Sequence, residues 1–240
     1  EMFSLLVCGT SAVASTVMVL YSMILRPIIS NPLGHIITSV LISIPATLVI
    51  SRIIIPEKEV FSEGKDADYL CASNTLDALY TGIMDGAKVM ITILAMLIGF
   101  IAVVDIVNQL IAWITPTEYC ITIQKLLGWV MYPVVWIMGV PASEAMAAGS
   151  IIGTKIIFNE IIGFQELVKI SYSLSNKTRI MLVYSLCSFA NISSIGIIIG
   201  VYGSLIPERK SEVIKLCFKA IIAGTMVNLS IASIIGVLVE

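Results

Sequence analysis

A single histidine, His35, and five cysteines with no CxxC pair leave this 240-residue chain without a zinc-ligand set, a disulfide framework or a Cys/His nucleophile. A membrane-embedded enzyme would need a nucleophile with its base or a metal cluster, so the expectation is no enzyme and no cofactor. Cys8, Cys71, Cys120, Cys187 and Cys217 are scattered, most of them in apolar runs where a thiol behaves as a small hydrophobe. Fourteen Lys and Arg against 16 Asp and Glu leave no basic excess, which excludes nucleic acid as a partner. Charged residues make up only 12%, about half of what a water-soluble surface carries. Apolar residues reach 58% and mean hydropathy is +1.01, so the lipid bilayer is the expected solvent.

A spanning helix needs about 20 mostly apolar residues. Runs of that kind place spans at about 2–25, 33–55, 89–112, 180–206 and 213–239. Asp77, Thr81, Asp85 and Lys88 form one polar stripe at spacings of three and four, which predicts a surface helix over 74–88. Residues 56–74 hold a mixed-sign charge cluster and read as a solvated loop. Trp113, Tyr119, Trp129, Tyr132 and Trp136 crowd one stretch, as at a membrane interface. Two shorter apolar pieces within 142–175 meet at Phe158-Asn159-Glu160 and read as a re-entrant hairpin. The expected fold is therefore all-α: a polytopic, multi-pass protein of the cell (inner) membrane with about five transmembrane helices, a re-entrant hairpin and a discontinuous helix. Lys and Arg concentrate in 52–88 and 207–219, which assigns both connections to the cytoplasmic side.

Ionisable groups inside apolar segments are costly and need a reason. Glu160 stands where the hairpin turns. Its carboxylate could accept hydrogen bonds from sugar hydroxyls, coordinate a cation or carry a proton; the bland alternative is an acid that starts a helix or pairs with Lys155. Phe189-Ala190-Asn191-Ile192-Ser193-Ser194-Ile195-Gly196 places an amide, two hydroxyls and a glycine in mid-span, which predicts a broken helix with free polar groups. Close helix packing would account for Ser193 and Gly196, and less well for Asn191. In the first span, the run Cys8 to Thr16 fits either close packing or an ion or ligand site. Asp105 reads as interfacial and Glu144 as a first-turn acid.

These motifs carry a resemblance. Ser188 to Ile197, Pro207-Glu208-Arg209-Lys210 and Ala223-Gly224-Thr225 resemble the C-terminal part of the concentrative nucleoside transporters. Gly139-Val140-Pro141, Ala148-Gly149-Ser150, Gly153-Thr154-Lys155 and Asn159-Glu160 resemble the second hairpin of that family. Gly34-His35-Ile36, Ser43-Ile44-Pro45-Ala46 and Ile55-Pro56-Glu57 resemble its fifth span.

The resemblance implies a sodium- or proton-coupled nucleoside importer, trimeric, with a scaffold and a mobile transport unit. It implies ribose contacts from Glu160, Asn191 and Ser194, with Phe189 lining the pocket, and a cation near Ser15 and Thr16. Lys155 would be structural. The family's first hairpin, with a Gly-Gln-Ser/Thr-Glu motif for the nucleobase, has no counterpart in the sequence, which resembles the family from its fourth span onward. The alternative expectation is a non-transporting remnant, or a split half that needs the N-terminal part.

Overall fold

The computed structural model describes residues 1–56, 73–114 and 121–239. Most of the 56–74 loop, together with Cys71, Tyr119 and Cys120, therefore lies outside the described residues. Among the described residues, ten α-helices follow in chain order: α1 Met2–Ser11, α2 Ser15–Leu25, α3 Pro32–Ile54, α4 Thr75–Ile114, α5 Ile123–Ile137, α6 Ala142–Ile157, α7 Glu160–Ile170, α8 Asn176–Leu186, α9 Ser193–Leu205 and α10 Lys210–Leu238. No strand occurs among the described residues. Residues 2–25, 32–54 and 207–238 are each long and apolar enough to cross a bilayer.

Helix α3 shows why lipid is the solvent. Asn31 caps it by accepting from the Gly34 amide, and Pro32 occupies the first turn, where a missing N–H costs nothing. Its inward stripe is Ile36, Ser39, Ser43, Thr47 and Ser51, all buried. Its outward stripe is Leu33, Ile37, Leu41, Ile44 and Leu48, all exposed. Hydroxyls inside and leucines outside invert the pattern of a soluble helix and match packing in hydrocarbon. The inward hydroxyls bond across the interface: Thr47 to Ser11 at 2.6 Å and Ser51 to Ser4 at 2.9 Å.

One expectation needs correction. The first span is not one helix: it is interrupted at residues 12–14, where Ala12 (ψ 169°) and Ala14 (ψ 142°) are extended. A tertiary bond holds this break: Asn228 Nδ2 donates to the Ser11 carbonyl at 3.0 Å. Thr10 Oγ1 lies 3.0–3.2 Å from the Val7, Leu6 and Ala220 carbonyls, and its single hydrogen serves one of them. The helix over 74–88 runs into the span over 89–112 as the single helix α4, and Asp105 on it is exposed. Of the clustered aromatics, Trp113 stands on α4, and Trp129, Tyr132 and Trp136 stand on α5, which has Pro133 inside it.

Helix α5 lies against α6 at a glycine contact. A β-carbon on Gly149 would sit 2.8 Å from the Gly128 carbonyl oxygen, and one on Gly128 would sit 3.1 Å from the Ser150 backbone. Backbone cannot step aside as a side chain can. Gly149→Ala is therefore expected to destabilise the fold by about 1–3 kcal/mol, read as a lowered midpoint of thermal unfolding in detergent. Gly128→Ala should act in the same direction.

Candidate functional site

Two interruptions of regular helix meet in the interior. The first is the turn between α6 and α7, made by Phe158 and Asn159. Asn159 Oδ1 accepts from the Ile162 amide at 3.0 Å, which starts α7 and makes Glu160 its first residue. An acid is favoured there by the free N–H groups of the helix start. The second is the gap at 187–192 between α8 and α9. Asn191 organises its exit: its Oδ1 accepts from Ser193 Oγ at 2.6 Å and from the Ser194 amide at 2.9 Å.

The two interruptions are stitched together. The Ile192 amide donates to the Ile156 carbonyl at 2.9 Å, and Ser193 Oγ lies 3.1 Å from the Phe158 carbonyl, its single hydrogen serving either that oxygen or Asn191 Oδ1. Lys155 Nζ, fully inside, donates to Ser188 Oγ at 2.6 Å. Lys155 therefore ties the hairpin to the break through Ser188, and it takes no part in the ion pairs among the described residues. At the outer end of α6, Glu144 accepts from both the Ser175 amide and hydroxyl, fastening α6 to the start of α8.

Glu160 is only 3% exposed, so its carboxylate must be satisfied from within. Asn191 Nδ2 donates to one oxygen at 3.2 Å, and the Tyr21 hydroxyl donates to the other at 2.6 Å. The Glu160 backbone amide also reaches the carboxylate, and since a carboxylate offers about four acceptor directions, about one remains. Asn191 retains a second amide hydrogen. Ser194 Oγ lies near both Asn191 Oδ1 and the Phe189 carbonyl, and its single hydrogen serves one of them at a time. Acceptors, an N–H and a hydroxyl thus converge within one nook. That mixture complements a polyol, each of whose hydroxyls both donates and accepts.

The structure brings Glu160, Asn191 and Ser194 together, and the half-buried Phe189 sits at the same break. It does not bring Ser15 and Thr16 to them. These two residues open α2 directly after the first-span break, and both are exposed. Tyr21 was not legible as a site residue. The available signal was a phenol deep within an apolar run, since a buried Tyr hydroxyl needs a partner. Among the described residues, no group of three or more His, Cys, Asp or Glu is placed to hold a metal ion.

A family model described as "Na+ dependent nucleoside transporter C-terminus" matches residues 35–236. The chain belongs to the nucleoside transporter family. A protein named as an uncharacterized transporter YutK of Bacillus subtilis is 34% identical over 100% of this chain and 59% of its own length. Nucleoside permease NupC of Helicobacter pylori is 30% identical over 100% of this chain and 58% of its own. Human sodium/nucleoside cotransporter 1 is 29% identical over 81% of this chain and 33% of its own. Among solved structures, the concentrative nucleoside transporter CNTnw in an intermediate state superposes with a TM-score of 0.84 at 30% identity, covering 99% of this chain and 58% of that one. The same transporter in an inward-facing, substrate-bound state gives 0.79 at 32%, covering 100% and 57%. The chain thus spans nearly three fifths of these bacterial relatives' length. Family membership and the outward-facing apolar stripes make this nucleoside transporter family member a multi-pass membrane protein.

Proposed function

We propose that this chain carries the sugar-binding part of a cation-coupled nucleoside importer that works by alternating access. The observation that carries the reading is the convergence of Glu160, Asn191 and Ser194 in one buried polar nook between two interrupted helices. Ribose hydroxyls would take the remaining acceptor direction of Glu160 and the free amide hydrogen of Asn191, with Ser194 beside them and Phe189 lining the pocket. The α6–α7 pair would be a re-entrant hairpin. Stitched to the α8–α9 break by Lys155, Ser193 and the Ile192 amide, it would move as one body against a scaffold that includes α4. Solved states of CNTnw described as outward-facing, intermediate and inward-facing support such a motion.

A carboxylate left partly unsatisfied in low dielectric costs several kcal/mol, so loading should precede movement. The cation would be sodium or a proton, with Ser15 and Thr16 at the first-span break as the candidate contacts. Relatives named as sodium/nucleoside cotransporters support sodium. Assembly as a homotrimer fits the long α4, whose Leu79, Ile83 and Ile98 are exposed.

The test is uptake of radiolabelled uridine into vesicles with sodium and pH gradients imposed separately. The reading expects uptake that one of the two gradients drives and that collapses when that gradient is removed. Uptake indifferent to both gradients would refute the coupling. A parallel arm co-expresses the N-terminal two fifths of the Bacillus subtilis relative. Uptake in that arm alone would favour the second reading, a chain that does not transport by itself, for which the nearly three-fifths coverage of its relatives speaks.

A further inference from the structure

The residue with the shortest bond to the hairpin carboxylate comes from neither the hairpin nor the broken α8–α9 span. Tyr21 lies on α2, the second half of the interrupted first span, and is completely buried. Its hydroxyl meets Glu160 Oε1 at 2.6 Å, and its ring lies against Phe164 of α7 with centroids 5.0 Å apart. The ring contact fixes the phenol, and the phenol in turn fixes the carboxylate. Asn191 holds the other oxygen. Tyr21 and Asn191 pin the Glu160 carboxylate at both ends and the Glu160 backbone amide also reaches it, which leaves about one acceptor direction. That acceptor lies beside the second amide hydrogen of Asn191, and an adjacent acceptor and donor match two adjacent hydroxyls better than one.

We propose that Tyr21 is a positioning residue that aims Glu160 at a vicinal diol, so that the second half of the first span sets the preference for ribosides over sugars lacking both ring hydroxyls. The proposal rests on the reading of Glu160 as a sugar-binding carboxylate. Tyr21 acts through Glu160 and need not touch the substrate. Its bond also makes α2 part of the same unit as the hairpin, since any separation of the two would have to break a charge-assisted hydrogen bond.

Tyr21→Phe removes one oxygen and keeps the ring on Phe164. In membranes carrying the protein, the KM for uridine is expected to rise about tenfold, the weight of one charge-assisted hydrogen bond, with the loss falling on KM rather than on the maximal rate. The preference for uridine over 2′,3′-dideoxyuridine should shrink, because the aimed carboxylate is what tells them apart. A residue needed only for folding would weaken both substrates equally. An unchanged KM, or an equal loss for both substrates, overturns the proposal.

A second measurement reads the bond without transport: thermal unfolding of detergent-purified protein with Tyr21→Phe, Glu160→Gln and both. Sub-additive losses are expected, because the second change removes nothing further from a bond already lost, and additive losses overturn the proposal. Normal uptake by Glu160→Gln would instead defeat the sugar-binding reading itself, and the cycle would still report on the link between Tyr21 and Glu160.

Discussion

Glu160→Gln is expected to lower uridine uptake by about 100-fold or more while the protein remains in the membrane. Two effects combine. The first is loss of charge: each hydrogen bond to an ionised group contributes about 1.5–3 kcal/mol, and the bond to the sugar and the one from Asn191 would weaken together. The second is a mismatch of donors. Tyr21 and Asn191 both present hydrogens to the carboxylate. A glutamine supplies one oxygen and one NH2 group, so Asn191 and Tyr21 are both satisfied only if the Tyr21 hydroxyl turns to accept from the NH2, and an acceptor that the carboxylate offered to the sugar is lost. The variant keeps the size of the side chain, and Asn159 still starts α7. Quantifying the protein in the membrane fraction separates loss of transport from loss of fold. Uptake near the unmutated level would remove the role assigned to Glu160.

The sequence revealed the second interruption more readily than the first, for a physical reason. Asn191, Ser193, Ser194 and Gly196 weaken a helix by their own chemistry, and Asn191 does cap the restart of α9 through its side chain. The turn at Phe158 and Asn159 was marked by a polar pair between apolar runs. The first-span break carries no such mark. Ala12, Val13 and Ala14 would continue a helix in isolation, and a count of charges cannot see a backbone interruption. What holds it open is non-local: Asn228 donating to the Ser11 carbonyl, across more than 200 residues of chain.

Helix α4 was more legible: the polar stripe over 74–88 runs into the apolar run over 89–112, and polarity alone does not end a helix that lacks a breaker. The site divides along the same line. Glu160, Asn191 and Ser194 were legible because burying polar groups in an apolar run demands a purpose. Tyr21 was hidden because tyrosine is at home in both apolar and polar surroundings, and its partner lies 139 residues away. Ser15 and Thr16 carry the right chemistry for a cation but stand exposed beside the break, with no bond to the nook.

The central claim is that sugar hydroxyls satisfy a buried carboxylate and amide. Competition by 2′,3′-dideoxyuridine against radiolabelled uridine in membranes carrying the protein tests it most directly, because it alters the ligand and leaves the fold intact. A site built to hydrogen-bond hydroxyls leaves its own buried polar groups unpaired when they are missing, so rejection should be steep. The account predicts that the dideoxy compound competes about 100-fold more weakly than unlabelled uridine, or worse. Equal competition by the two compounds would contradict it.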